Sequence, residues 1–386
     1  MKRIGNLFES VLDRDNLRLA ASKALRGKRD RPDARAFVAQ LDDHLAEMAR
    51  QLRAGDFPLG RFRQFVIHDP KERVISAPPF AERVLHHALM NVCEPHFERW
   101  LIADTFACRV GKGRDAALAR ARRFAGRFPF FLKLDVRKFF DSVPHDRLLE
   151  RLARRFKDPA LLELFGRIVR SFRASLGRGL PIGSLTSQHF ANFYLGWFDR
   201  FVKETLRLRG YARYMDDMAL WADDRRALRT ALEAGERFLA DELGLMLKPT
   251  PYLNRTAHGM DFLGFRVHRD RLELNRNSKV RFRRRLNRLE TEYAAGRIGE
   301  AALQRRATAL TAFTRAAGAS SWHFRRSAIN SIRRAVEGPF SGEPGRRLEQ
   351  QRQELPRGEP QQERAGQPEQ QPGLSPGPSP AGGADA

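Results

Sequence analysis

Between residues 7 and 55 apolar side chains recur three and four positions apart, the spacing of helices with one buried face. Asn16 to Ala24 is a short amphipathic stretch. Ala34 to Ala54 sets Phe37, Leu41, Leu45, Met48 and Leu52 on one stripe. Phe62 to Ile67 and Arg73 to Ala77 read as two strands around the turn His68-Asp69-Pro70-Lys71. The pattern then predicts a helix over Arg83 to Trp100, a buried strand over Phe128 to Val136, and helices over Arg147 to Phe172, Ser187 to Leu208 and Arg225 to Leu243. Tyr211 to Ala222 and Met260 to Leu274 each look like a hairpin, and 277–336 reads as all-helical. Both strands and helices are therefore expected, with helices alone after residue 277.

Composition divides the chain. Residues 337–386 hold 9 of the 21 prolines and 9 of the 29 glycines, with 5 basic and 8 acidic residues. Such a segment buries too little apolar surface to offset chain entropy, so a disordered tail is expected. The whole chain carries a net charge of +25. That excess points to a polyanionic partner, with nucleic acid first. Residues 269–336 alone have 17 basic and 5 acidic residues. Arg281, Arg283, Arg284 and Arg285, with Phe282 between them, are the candidate phosphate contacts; the alternative is a solvated helical face. No apolar run approaches the roughly 18–20 residues of a membrane span. The charged start lacks a signal-peptide pattern, and the two cysteines, Cys93 and Cys108, form no disulfide framework. A reduced, cytoplasmic setting is expected.

Two segments carry candidate chemistry. In Phe130-Phe131-Leu132-Lys133-Leu134-Asp135-Val136 an aspartate ends an apolar strand, where a charge is costly unless a cation compensates it. In Tyr211-Ala212-Arg213-Tyr214-Met215-Asp216-Asp217-Met218-Ala219-Leu220-Trp221 two aspartates sit at a turn between two short apolar strands. If the strands lie together, three carboxylates converge, which suits two divalent ions and nucleotidyl transfer. From spacing alone an Asp-Asp pair is equally ordinary turn chemistry. Asp223-Asp224, just before a helix, reads as capping.

A resemblance separates these alternatives. Tyr214-Met215-Asp216-Asp217 resembles the YxDD motif of reverse transcriptases. Other motifs of that family accompany it in order: Lys133 to Ser142 around Asp135, the hairpin with Arg73, Leu245-Met246-Leu247-Lys248, and Gly259 to Phe265. Most reverse transcriptases have glutamine where Ile182 stands and proline where Gln188 stands. The Ile-Gly-x-x-x-Ser-Gln pattern of Ile182 to Gln188 instead resembles the enzymes of diversity-generating retroelements, as do Gly5-Asn6-Leu7-Phe8 and Phe106 to Gly113.

The resemblance implies a right-hand polymerase of α+β class, its palm an antiparallel sheet packed on helices: an N-terminal helical extension over 1–55, interleaved fingers and palm over 56–268, and a basic helical thumb over 269–336. It implies that Asp135, Asp216, Asp217 and the Val136 carbonyl bind two Mg²⁺ ions, with Mn²⁺ a substitute. It places Lys71, Arg73, Phe140, Ile182, Gln188 and Lys248 at the incoming nucleotide, Phe140 as a gate against the ribose 2′-hydroxyl. Phe262, Leu263 and Gly264 become a primer grip. The implied activity is error-prone RNA-directed DNA synthesis with faults at template adenines. Its partners are template RNA, an RNA/DNA duplex, deoxynucleoside triphosphates and a small basic ring-forming accessory protein. The alternatives are a retron or antiphage-defence reverse transcriptase, or an inactive RNA-binding scaffold.

Overall fold

The computed structural model describes residues 3–68 and 72–337. Lys71, and the expected tail from residue 338 on, lie outside the described residues. The chain divides into two compact units. Of the described residues, one comprises those up to Leu263 together with Val267–Asp270, the other Gly264–Arg266 together with those from Arg271 to Glu337.

The first unit opens with four helices, α1 (Phe8–Leu12), α2 (Arg14–Ala24), α3 (Pro32–Ala39) and α4 (Leu41–Ala54). Asp13 caps α2 through its carboxylate. Strands β1 (Arg63–His68) and β2 (Glu72–Ala77) form an antiparallel pair, with Val66 opposite Val74. Helix α5 (Phe80–Trp100) is the hub: α2 packs on it from the N-terminal side and, later in the chain, so does α10 (Leu185–Arg200). Its buried face includes Val84, Leu85, Ala88, Leu89, Cys93 and Phe97.

After α6 (Arg114–Arg127) come β3 (Phe130–Asp135), α7 (Phe139–Ser142), α8 (His145–Ala153) and α9 (Pro159–Arg170). The sequence predicts one helix over Arg147 to Phe172; the structure breaks it. Asp158 accepts from Leu161 N as an N-cap and Pro159 fixes the first turn of α9. The same Asp158 also takes the amides of Leu7 and Phe8, tying the N-terminus to the break. Helix α10 runs into a π-helical turn at Phe201–Thr205 instead of continuing to Leu208.

Strands β4 (Gly210–Tyr214) and β5 (Asp217–Ala222) form the expected hairpin. Helix α11 (Arg225–Leu243) follows, capped by Asp224 as expected. Strand β6 (Tyr252–Arg255), which the pattern does not announce, completes an antiparallel sheet of order β4-β5-β3-β6. Strand β3 is central and its Phe131, Leu132 and Leu134 are buried. The expected hairpin over Met260 to Leu274 is three short strands, β7 (Met260–Phe262), β8 (Phe265–Val267) and β9 (Leu272–Leu274).

The second unit holds α12 (Arg276–Ala294), α13 (Glu300–Thr314) and α14 (Trp322–Glu337), with a 3₁₀ segment between the last two. Phe282, Leu286, Leu289 and Leu303 form its apolar core. Among the described residues no helix is long and apolar enough to cross a membrane.

Candidate active site

Asp135 is the last residue of β3, and the antiparallel register sets it directly opposite Asp217, the first residue of β5. Tyr214 pairs with Asp217 across the neighbouring hairpin, so Met215 and Asp216 form a two-residue loop. Met215 has φ +55°. A positive φ at the first loop position is a turn geometry that ordinarily takes glycine, and a side chain there costs on the order of 1–3 kcal/mol. The three aspartates therefore gather at one end of the sheet because two registers and one strained loop put them there.

Lys248 joins them from β3's other side. Leu247 bridges Val136, Lys248 N donates to Asp135 O (2.8 Å), and Arg137 N donates to Met246 O (2.8 Å). This short ladder brings Lys248 Nζ into direct contact with Asp135 Oδ2. A second cation, Lys133 Nζ, lies 3.5 Å from Asp217 Oδ1 and donates to Asp261 O.

The carboxylates are electrostatically uncomfortable. Burial drives the Asp217 carboxyl up to about 6; Lys133 works against this, while the charges of Asp135 and Asp216 add to it. Burial, then the charge of Asp135, also raises Asp216, opposed by Lys248 and Arg73. Asp135 Oδ1 and Asp217 Oδ1 are buried without a hydrogen-bond donor among the described residues. Still, no group of three or more His, Cys, Asp or Glu side chains among the described residues is arranged to hold a metal ion as it stands. Lysines lie against two of the three aspartates instead. The donor set nevertheless fits a divalent cation: hard carboxylate oxygens, two of them orphaned, on groups whose mutual repulsion a cation would relieve.

The remaining sequence-predicted residues fall in several places. Arg73 lies on β2, exposed, and its charge reaches Asp216. Phe140 is half-buried in α7, edge-on to the buried Phe139, and its carbonyl accepts from Leu180 N. Ile182 is half-buried and its carbonyl accepts from Ser76 N at 2.7 Å, which pins its loop to β2. The next residue, Gly183, has φ +112°, and a Cβ there would stand 2.7 Å from Ile75 Cγ2, so only glycine fits. Gln188 Oε1 lies 3.5 Å from the thiol of Cys108. Phe262 is fully buried, while Leu263 and Gly264 form a tight turn with φ +51° and +87°. Arg281, Arg283, Arg284 and Arg285 lie on α12 in the second unit, the last three exposed. Arg281 and Arg285 help line a cavity of about 390 Å³ there, floored by Phe282, Leu289, Leu310 and Phe313.

Sequence reasoning missed Arg213, Asp199 and Asn192. Arg213 is fully buried and donates to Met215 O as well as to Asp199 and Asn192. The available signal was a charged residue, Arg213, inside the short buried strand β4 (Gly-Tyr-Ala-Arg-Tyr).

The profile of the family "Reverse transcriptase (RNA-dependent DNA polymerase)" matches residues 68–267. A putative COX1/OXI3 intron 1 protein of Saccharomyces cerevisiae is 22% identical over 174 residues, covering 43% of this chain and 21% of that protein. The group II intron-encoded protein LtrA of Lactococcus lactis is 21% identical over 170 residues, covering 42% and 28%. The chain spans between 16% and 49% of the length of the curated relatives it matches. A telomerase structure from Candida albicans, in complex with a TWJ fragment of telomeric RNA, superposes with a TM-score of 0.45 at 11% identity, over 76% of this chain and 66% of that one. With the match spanning β2, the aspartate-bearing sheet and the lysine segment, the chain belongs to the reverse transcriptase family.

Proposed function

We propose that this chain is an RNA-directed DNA polymerase whose reaction centre is Asp135, Asp216 and Asp217. The observation that carries the reading is the direct pairing of Asp135 with Asp217 across β3 and β5, next to Asp216 on the loop. Two Mg²⁺ ions, or Mn²⁺ in their place, would be held by these carboxylates and the Val136 carbonyl. Bound there, divalent ions supply activation of the primer 3′-hydroxyl and charge stabilisation on the phosphates. The chain's own groups do the rest. Lys248 places a cation at Asp135 and is the candidate proton donor to the departing pyrophosphate. Arg73, with Lys71, offers paired donors to the triphosphate. The ring of Phe140 bars the 2′-hydroxyl. Leu263 and Gly264 turn tightly enough for close approach to the primer backbone, and Arg281, Arg283, Arg284 and Arg285 hold duplex phosphates.

The finer reading is an enzyme of a diversity-generating retroelement, copying a template-repeat RNA with errors at adenines beside a small basic ring-forming partner. Ile182 and Gln188 support it: an aliphatic side chain offers no hydrogen bond to keep nucleotide and template in register. The intron-encoded relatives favour a second reading, an intron-type reverse transcriptase.

Primer extension on a defined RNA template with Mg²⁺ tests the first reading. Wild-type protein extends, and Asp216→Asn does not while still binding the RNA; extension by Asp216→Asn at the wild-type rate refutes the assignment. Sequencing the products separates the finer readings, because errors concentrated at template adenines support the retroelement enzyme and an even spectrum excludes it.

A further inference from the structure

A buried ion pair stands directly behind the Met215–Asp216 loop. Arg213 and Asp199 are both 0% exposed and meet at 2.6 Å. Such pairs are poor devices for stability, since apolar side chains of similar volume commonly do as well. This one therefore calls for another account, and its hydrogen bonds supply it. Asp199 Oδ1 accepts from Tyr211 Oη and Arg213 Nε, and Oδ2 accepts from Thr105 Oγ1 and Arg213 Nη2. The carboxylate is thus fixed from two segments, β4 and the loop before α6, and it fixes the guanidinium in turn. Arg213 Nη2 also donates to Asn192 O, and Nη1 donates to Asn192 Oδ1 at 2.8 Å and to Met215 O at 3.0 Å. A guanidinium has five N–H donors, and all five are used. One of the five reaches the residue whose backbone is strained.

We infer that Arg213 is a positioning residue: anchored by Asp199 and Asn192, it holds the Met215 carbonyl and thereby keeps the loop that carries Asp216 and leads into Asp217 in its strained, working conformation. The inference rests on the polymerase reading above and adds to it a residue that touches neither substrate nor cofactor. Lysine cannot substitute, because three donors on a flexible stem cannot hold Asp199, Asn192 and Met215 together in one plane.

The test is steady-state primer extension by the full chain, with thermal melting of each variant alongside. Arg213→Lys should lower kcat by about 10²-fold, the scale of a misplacement near 1 Å, while the KM for the nucleotide and the affinity for template–primer stay near wild type. Glycine takes a positive φ without strain, so adding Met215→Gly to Arg213→Lys should return a substantial part of the lost kcat, with a rise in melting temperature no larger than Met215→Gly gives the wild-type protein. That separation is not expected of a residue that only fills the core. Wild-type kcat in Arg213→Lys overturns the inference, and so does a loss of kcat that Met215→Gly leaves untouched. Where Arg213→Lys does not fold, Asp199→Asn takes its place with the same rescue; failure of both to fold makes the pair a core element and ends the proposal. Absence of synthesis by wild-type protein is a different result, which removes the polymerase reading itself.

Discussion

Asp135 and Asp217 are Cα partners across the antiparallel β3–β5 pair, although 82 positions separate them in the chain. Neither position is arbitrary. Asp135 is where β3 ends and Asp217 where β5 begins, so a shift of register by one residue would turn one carboxylate to the other face of the sheet. The buried partners Leu134 and Met218, and Leu132 and Leu220, fix that register by packing.

Lys248 and Asp135 form a contact whose effect on rate should exceed its effect on stability. Both side chains keep more than a third of their surface exposed, and such pairs are worth about 0–1 kcal/mol. Lys248→Met should therefore leave the unfolding free energy within about 1 kcal/mol of wild type. If the lysine protonates the leaving group, single-turnover incorporation falls by about 10²-fold or more. Equal small changes in both measurements would reduce Lys248 to a surface cation.

Ile182 can be changed without freeing its loop, because the loop is held through the Ile182 carbonyl and Gly183 rather than through the side chain. Ile182→Gln should lower the error frequency at template adenines by roughly ten-fold, the discrimination a new hydrogen bond readily adds. Product sequencing over a template rich in adenines measures it; an unchanged spectrum places the source of any errors elsewhere.

Glu82 gives the fold a pH dependence of known sign. It is buried in α5, accepts from Gly60 N, and lies 3.6 Å from His86 Nε2 without a hydrogen bond. Burial raises Glu82 from 4.5 to about 7. The folded state thus holds the proton more tightly than the unfolded one. The contribution is complete below about pH 4.5 and is lost as pH rises through 7. Glu82→Gln, which keeps the shape without the charge, should raise stability at pH 8 by on the order of 2–3 kcal/mol and leave it nearly unchanged at pH 4. His86 contributes with the opposite sign. Burial lowers it to about 3, so its stabilising share is present above about 6.5 and falls away towards 3, in both proteins. Denaturant unfolding at several pH values would expose either limb, and parallel curves for the two proteins would remove Glu82 as the source.

Arg283, Arg284 and Arg285 are exposed on α12. If they neutralise phosphates, replacing all three with glutamine should reduce the slope of log affinity against log salt by about 2–3. Binding of an RNA/DNA duplex between low and moderate salt measures the slope; an unchanged slope leaves these arginines as solubilising charges.

Much of the architecture was legible before folding. Periodicity placed α2, α4, α5, α11, the β1–β2 pair and the β4–β5 hairpin, because each has a face that must be buried and a turn or cap that ends it. It ran Arg147 to Phe172 together because the break there depends on Asp158, whose other partners, Leu7 and Phe8, are about 150 positions away. It missed β6 because Tyr252 to Arg255 is half polar and pairs with β3 only through tertiary assembly.

By itself the sequence named the members of the proposed site: three aspartates, a lysine after them, and an aliphatic Ile182. Those are matters of residue type and order, which motifs record. Tertiary structure alone decided that Asp135 faces Asp217, that Lys248 and Lys133 lie against the carboxylates, and that Arg213 and Asp199 brace the loop from behind. These are through-space relations, set by sheet register and by the need of buried charges for partners, and no local pattern encodes either.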